Sequence, residues 1–368
     1  MIQDKMLKPV AFEFHGRAGE YFRIWIVNIM LTILTLGIYS AWAKVRNKQY
    51  FYGNTVLDDS PFEYTANPVA ILKGRLVVVA ILAIYYIAVH FFPLSQGLFF
   101  ILFFIALPWL VMRSLMFNAR YSSYRNLYFT FEKNLKDAYK VFVGLVILIP
   151  LTLGLIYPYY FHEVQRYRID NHSFGQYVFK LKSSVKAFYK YYLVAVLIVI
   201  AGGILIGMIF GGSIAVLSGS LGESADAEAG MSPNALTSLM LISVFYFIAY
   251  YFAYAYVRTK VFNQVWTNTS LNKASAFKLS APTVPLMAFK GNLETKKIFW
   301  IYLSNTIGIV LSVGLLIPWA KIRLARYRIE SLDVTSIADL KVITSQQREQ
   351  VGTIGSEMGD ILDIDIGM

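Results

Sequence analysis

Cysteine is absent from the 368 residues, so neither a disulfide nor thiolate chemistry is open to this chain. Charge is scarce. Asp, Glu, Lys and Arg together make up 15%, against about 25% in a soluble domain. Histidine occurs four times, at His15, His90, His162 and His172. "HEVQRYRIDNH" (162–172) lacks the second His four residues after the first that a zinc-binding helix needs. His162 and His172 therefore read as surface residues. No Gly-rich phosphate loop is present, and no Ser/His/Asp order stands out. Without an acid–base or nucleophile constellation the chain reads as a non-enzyme, with no cofactor and no metal expected.

What is abundant is apolar. Hydrophobic residues make up 57%, and mean hydropathy is +0.53. Several uncharged runs approach or exceed the roughly 18 residues that mark a membrane helix. The N-terminus shows no short apolar core with a small-residue cleavage site, so no cleaved signal peptide is expected.

One unit recurs. "LTLGIYSAWAKVRNKQYFYGN" (34–54), "LTLGLIYPYYFHEVQRYRIDN" (151–171) and "LSVGLLIPWAKIRLARYRIES" (311–331) align without gaps on Gly37, Gly154 and Gly314. The apolar parts of this unit, A, lie at about 24–43, 141–161 and 298–320. Two further apolar segments, B (73–92, then 191–217) and C (98–117, then 236–257), follow its first two copies. The order is A-B-C-A-B-C-A. "FEFHG" (12–16), "FTFEK" (129–133) and "MAFKG" (287–291) precede the A units with period-2 alternation, so each reads as a short strand. The expected fold is an all-α polytopic membrane protein, with short strands possible on the cytoplasmic side. It comprises a single membrane domain at 1–332, with repeats at about 12–126, 129–272 and 287–332, and a cytoplasmic acidic tail at 333–368.

Topology follows from Lys and Arg. The chain holds 34 of them, and neither B–C connection, 93–97 or 218–235, contains one. Positive residues stay cytoplasmic, so the B–C hairpins point outward and both termini are expected inside. Each A segment has positive charge on both flanks. If A crossed, the second A-B-C copy would be inverted, with its charges on the wrong side. B and C are therefore expected to make four crossings. The A units should be broken re-entrant or interfacial hairpins, with the breaks at Gly37, Gly154, Pro158, Gly314 and Pro318. The alternative is seven simple spans.

"FEFHGRAGEYF", "LTLGIYSAWAKVRNKQYFYGNT", "FEYTANPVAILKGR" and the closing "ILDIDIGM" resemble the YjgN-like family of bacterial inner-membrane proteins over nearly the whole chain. The resemblance implies a multi-pass protein of the cell membrane with no established biochemical activity, and supplies no catalytic residues.

Three features are candidate sites. The first is the basic-aromatic helix after each break. Lys44, Arg46, Arg166, Arg168, Lys321, Arg323, Arg326 and Arg328 are candidate contacts to anionic lipid headgroups or another anionic ligand. Trp42, Tyr50, Tyr159, Tyr167, Trp319 and Tyr327 are candidate interfacial anchors. The middle copy has Phe161 and Glu163 where the others carry Lys and Arg, so any site is asymmetric. The second feature is Asn28 and Asn305, each nine residues before its Gly in an apolar run, where an amide needs a partner. The third is Gly203, Gly207 and Gly211, a small-residue face suited to close helix packing, within the monomer or between protomers.

The segment "EMGDILDIDIGM" (357–368) alternates Asp360, Asp363 and Asp365 with apolar residues, which suits an extended peptide docked on the basic face or a free tail. Two functions remain open. One is transport or handling of a lipid or small solute. The other is a non-transporting scaffold that binds lipid or a partner protein at its cytoplasmic face. Nucleic acid is not an expected partner.

Overall fold

The computed structural model describes residues 8–223, 233–273 and 285–336, with the backbone alone described at Lys8, 210–223, 233–236 and Ser238. Its organising element is a closed antiparallel barrel of ten short strands. The all-α expectation is therefore wrong. The strands at the three alternating flanks are present, as β1 (Lys8–Phe14), β5 (Leu127–Phe131) and β9 (Met287–Gly291). Seven more complete the ring: β2 (Thr55–Leu57), β3 (Ser60–Tyr64), β4 (Ser122–Tyr124), β6 (His172–Phe174), β7 (Tyr177–Leu181), β8 (Thr269–Lys273) and β10 (Leu332–Ser336). β10 pairs with β1, Val334 opposite Val10, and closes the barrel. The expected tail boundary at 333 thus falls inside a strand. Residues 337–368, with the aspartates of the C-terminal segment, lie outside the described residues.

Strand order alternates two kinds of connection. At one rim the turns after β2, β4 and β6 are tight, and residues 274–284 between β8 and β9 lie outside the described residues. Asp58 and Asp59, and Arg125 and Asn126, all have positive φ, the backbone of a type I′ hairpin turn. At the other rim every connection is a helical hairpin. Short hairpins join β1 to β2, β5 to β6 and β9 to β10: α1 (Ala18–Leu34) with α2 (Ser40–Gly53), α5 (Leu135–Tyr139) and α6 (Leu145–Leu151) with α7 (Tyr157–Asp170), and α10 (Thr295–Leu311) with α11 (Ile317–Glu330). A π-helical turn, Lys140–Gly144, joins α5 to α6. Long hairpins join β3 to β4 and β7 to β8: α3 (Pro68–Phe91) with α4 (Ser95–Arg120), and α8 (Val185–Glu223) with α9 (Pro233–Thr267). In an up-and-down barrel all five hairpins leave from one rim, and β1 and β10 bring both chain ends to the other.

Among the described residues, four helices are long and apolar enough to cross a membrane: Pro68–Phe91, Ser95–Arg120, Val185–Ile209 and Leu239–Thr267. These are the B and C segments. The alternative of seven long spans does not fit, because each A segment is folded back at its glycine.

The barrel is filled. A bore of ten strands needs larger side chains than one of eight, and aromatic rings supply them. Phe62 lies 4.8 Å from Tyr124 and Phe129 lies 4.9 Å from Phe174, centroid to centroid. Phe179, Phe289 and Trp266 continue the stack, with Leu57, Leu271 and Leu332 between them. The Tyr124 hydroxyl donates to the Leu57 carbonyl at 2.6 Å inside this core, and burial pushes its pKa up to about 12. Smaller clusters sit where neighbouring hairpins meet. Phe14, Tyr21 and Ile322 join the first short hairpin to the last, and Leu181, Phe188, Val261 and Val265 root α8 and α9. The hairpins thus stand in a closed ring on the barrel.

Candidate functional site

The tips of the three short hairpins share one backbone. Leu36, Leu153 and Val313 have φ near +50°, and the glycines that follow have φ of +91°, +83° and +90°. The Gly37 amide donates to the Thr32 carbonyl (2.7 Å) and the Leu36 amide to Ile33 (3.1 Å), with matching bonds in the other two hairpins. This is a Schellman cap, whose left-handed residue is usually Gly or Asn. A leucine or β-branched valine there costs about 1 kcal/mol or more. All three apolar side chains nevertheless project away from the protein, 95%, 92% and 93% exposed. A hydroxyl two residues before each Gly accepts from the opening amide of the second helix: Tyr39 N to Thr35 (2.9 Å), Ile156 N to Thr152 (3.3 Å) and Leu316 N to Ser312 (3.0 Å). Pro158 and Pro318 do not break the helices. They lie buried in the first turn of α7 and α11, where proline has no amide to lose.

A cleft of about 790 Å³ opens between α7, α8, α9, α10 and α11. Its walls are aliphatic and tyrosine-rich, with Val196, Val199 and Ile200 on α8 and Tyr246, Tyr250 and Tyr254 on α9. Trp266, part of the barrel core, lines its barrel end. Gln165, Arg168, Arg258 and Arg328 bring polar groups into it, and none of its lining residues is acidic. The Arg328 guanidinium donates to the Tyr302 hydroxyl at 2.6 Å.

Of the eight basic candidates, only Arg168 and Arg328 line this cleft. Arg323 lies 5.1 Å over the Trp319 ring and donates to Ser304 and Asn305. Arg326 donates to the Gly16 carbonyl at 2.8 Å, fastening the last hairpin to the first. Arg166 sits 3.8 Å from Glu163 and 3.6 Å from Asp170. Lys44, Arg46 and Lys321 are exposed on their helices.

The aligned tyrosines clamp backbone. The Arg17 amide donates to the Tyr50 hydroxyl (2.8 Å), the Tyr167 hydroxyl donates to the Asn134 carbonyl (3.2 Å), and the Glu294 amide donates to the Tyr327 hydroxyl (2.9 Å). In each case the partner is the N-cap residue of the hairpin's first arm. Trp42 stacks on Tyr39, and Tyr159 is half-exposed. Both candidate asparagines are buried and bond across their own hairpins. Asn28 donates to Asn47 (3.2 Å), and Asn305 donates to the Ala320 carbonyl (3.2 Å). Gly203 and Gly207 face open space. The close approach is at Gly202, where a Cβ would stand 2.8 Å from that of Ala249. Side-chain surroundings at Gly211 lie outside the described residues.

The sequence reading missed two residues. His162 is not at the surface. It is 4% exposed, beside Phe188, at the position held by buried Val45 and Ile322 in the other hairpins. One ring nitrogen meets Glu163 at 3.1 Å and the other meets the Ser183 carbonyl at 3.2 Å. That His162 bond holds the Glu163 carboxyl below the ordinary carboxylate range, against the opposing effect of burial. Arg258 was the second omission. It sits in "VRTKVFNQVWTNTS", and its relation to the cleft is visible only once α9 is set beside α7 and α11.

The family described as "Bacterial protein of unknown function (DUF898)" matches residues 9–361. The inner membrane protein YjgN of Salmonella typhimurium strain LT2 is 30% identical over 150 residues, 39% of this chain and 36% of that protein. The protein of the same name from Escherichia coli K12 is 29% identical over 153 residues, 40% of this chain and 37% of its own length. The aligned part thus spans little more than a third of these curated relatives. No solved structure matches the chain.

Proposed function

The chain belongs to this DUF898 family, and we propose that it is a multi-pass protein of the bacterial inner membrane that takes a membrane lipid into the α7–α11 cleft. The cleft carries this reading. Its volume falls within the 300–1,000 Å³ of ordinary ligand sites, and its walls are apolar. It follows α9 from Tyr246 to Trp266, about 30 Å at helical rise. That exceeds the roughly 20 Å of one leaflet with its headgroups, so a lipid can lie along the helix with its polar end toward the barrel.

Charge orients the assembly. Every Lys and Arg of the four long helices lies near the barrel: Lys73 and Arg75, Arg113 and Arg120, Lys186 and Lys190, Arg258 and Lys260. By the positive-inside rule the barrel and both termini are cytoplasmic. From Ile24 to Leu34 the first arm of α1 rises about 15 Å, half of a hydrocarbon core about 30 Å thick. The short hairpins accordingly re-enter the cytoplasmic leaflet alone. Hydrocarbon offers no water to satisfy exposed amides, and the Schellman and hydroxyl bonds at the tips meet that demand internally. A strained but apolar residue at each tip is sensible where an acyl chain surrounds it.

The filled barrel disfavours a solute path along its axis, so lipid handling is preferred to solute transport. It also keeps a non-transporting scaffold as the second reading. Protein purified in mild detergent should retain stoichiometric lipid, and loss of all lipid without loss of fold would leave the scaffold. The cysteine-free chain permits a second check. Single cysteines introduced by Leu36→Cys, Leu153→Cys and Val313→Cys should resist membrane-impermeant maleimide from both sides of the membrane. Leu94→Cys, at the tip of the first long hairpin, should react from outside. Reaction of the three short tips from the cytoplasmic side would show that they lie outside the bilayer.

A further inference from the structure

We propose that Arg168, Arg258 and Arg328 form a headgroup site for the phosphate of an anionic phospholipid, whose chains lie along the wall of α8 and α9. The inference rests on the reading of the cleft as a lipid site and names the class of lipid it selects.

The observation is a set of uncompensated charges. Two basic groups elsewhere are paired with carboxylates of the protein. Arg125 meets Asp58 at 2.7 Å, and Arg326 meets the Gly16 carbonyl and Glu330. Arg168, Arg258 and Arg328, the first two exposed and the third half-buried, line the cleft, and no described residue of its lining is a carboxylate. Among the described residues the only hydrogen-bond partner of the three is the neutral Tyr302 hydroxyl. Like charges along one cleft repel, and an anion placed among them relieves that repulsion. Planar guanidinium forks match phosphate oxygens in pairs.

The placement is specific to this cleft. Arg168 and Arg328 occupy the same place in their hairpins, fourteen residues after Gly154 and Gly314. The first hairpin has Phe51 there, packed on Tyr21 and Phe14. Both arginines stand in the last helical turn before the barrel, where a cytoplasmic-leaflet headgroup would lie. Arg258 stands eight residues before Trp266, about 12 Å further along α9, and brings a third charge from the opposite wall. A phospholipid entering between the helices places its phosphate at the arginines and its chains against Val199, Ile200, Tyr250 and Tyr254.

The test uses the full chain, stripped of lipid in detergent and titrated with phosphatidylglycerol, phosphatidylethanolamine and inorganic phosphate. Each basic group near an anionic lipid is worth on the order of 1 kcal/mol. The Arg168→Gln/Arg258→Gln/Arg328→Gln variant should thus bind phosphatidylglycerol about a hundredfold more weakly. Lys44→Gln/Arg46→Gln/Lys321→Gln removes equal charge from exposed positions and should stay within a few-fold of the unaltered protein. Arg258→Gln alone, where the guanidinium has no hydrogen bond among the described residues, covers the case in which the triple variant fails to fold, and should lose several-fold. Equal phosphatidylglycerol binding by the unaltered protein and the folded variants would overturn the proposal. An equal loss in the surface-charge control would reduce it to bulk attraction. Competition by millimolar inorganic phosphate would assign the site to the free anion instead. Undiminished phosphatidylethanolamine uptake alongside any of these failures would leave the lipid-cleft reading intact.

Discussion

The two long hairpins hold equivalent places on the barrel and do different things. α3 has no buried residue, and α3 and α4 meet edge-on near their outer ends, at Tyr85 and Phe99. Their counterparts α8 and α9 close at Gly202 and Ala249 and share the cleft with α7, α10 and α11. Arg113 and Arg258 each stand four residues before a Phe-Asn pair. Arg113 lies 5.5 Å over the ring of its own Trp109, whereas Arg258 faces the cleft. Asn118 accepts from Lys48 on α2, while Asn263 clasps the backbone of Leu293 through both its amide atoms, each at 2.9 Å. One scaffold has thus produced a plain pair of spans and a pair specialised as a cleft wall. The cleft is no automatic product of hairpins on a barrel.

The comparison breaks most severely at the helix contact. A side chain at position 202 meets the Cβ of Ala249, which cannot swing aside. Gly202→Leu should therefore cost about 1–3 kcal/mol by overpacking and lower lipid retention as α8 and α9 part. In α3, Gly74 has open space around it. Gly74→Leu should leave both thermal unfolding and lipid content unchanged, and similar losses in the two variants would mean the two hairpins are not differently packed.

The hairpins were legible in the sequence because a left-handed backbone at each tip demands a particular residue. Gly37, Gly154 and Gly314 recur at one spacing from the aromatic helix, and the positive-inside count ruled that these segments do not span. The barrel was largely hidden. β2, β4 and β6 are three residues long, too short to show alternation. The turns after β2 and β4 use Asp-Asp and Arg-Asn rather than Asn-Gly, so the strongest hairpin signal is missing there, while the turn after β6 has Gly175. What fixes these strands is pairing across 40 to 57 intervening residues, which no local pattern carries. The site failed for a related reason. Basic residues with one spacing looked alike, yet Arg326 is used to close the ring and Arg323 to brace Asn305, which leaves Arg168 and Arg328 for the cleft.

The buried asparagines sharpen the contrast between hairpins. Asn305 satisfies the Ala320 carbonyl and accepts from Arg323, so Asn305→Leu strands a carbonyl and a charged donor. Asn28 makes one side-chain bond, to Asn47, and its side-chain amide oxygen has no partner among the described residues. The expected cost is about 2 kcal/mol for Asn305→Leu and about 1 kcal/mol or less for Asn28→Leu. Denaturation in lipid nanodiscs would measure the order, and a larger loss at Asn28 would show that the bond to Arg323 contributes little.

The smallest effect is a dependence on pH confined to the middle hairpin. His172 opens β6, where β2 has Thr55 and β10 has Leu332. Its ring contacts the Arg168 carbonyl and stands edge-on to Phe131 at 4.9 Å. Burial lowers its pKa below 6.5, with the Arg168 carbonyl opposing that shift. A histidine held neutral in the fold costs nothing at high pH. As pH falls below about 6.5 the unfolded chain takes up a proton that the folded one refuses, so stability declines until the folded pKa is reached. Glu163, with its carboxyl pKa lowered chiefly by His162, adds a separate loss at more acid pH, as that carboxylate is protonated. His172→Thr supplies the residue found at the start of β2, where the Thr55 hydroxyl donates to the Phe51 carbonyl at 2.8 Å in the same i to i−4 geometry. Melting temperature of the variant should vary less between pH 7.5 and pH 5 than that of the unaltered protein. Identical slopes in the two proteins would mean that His172 titrates in the fold as it does in the unfolded chain.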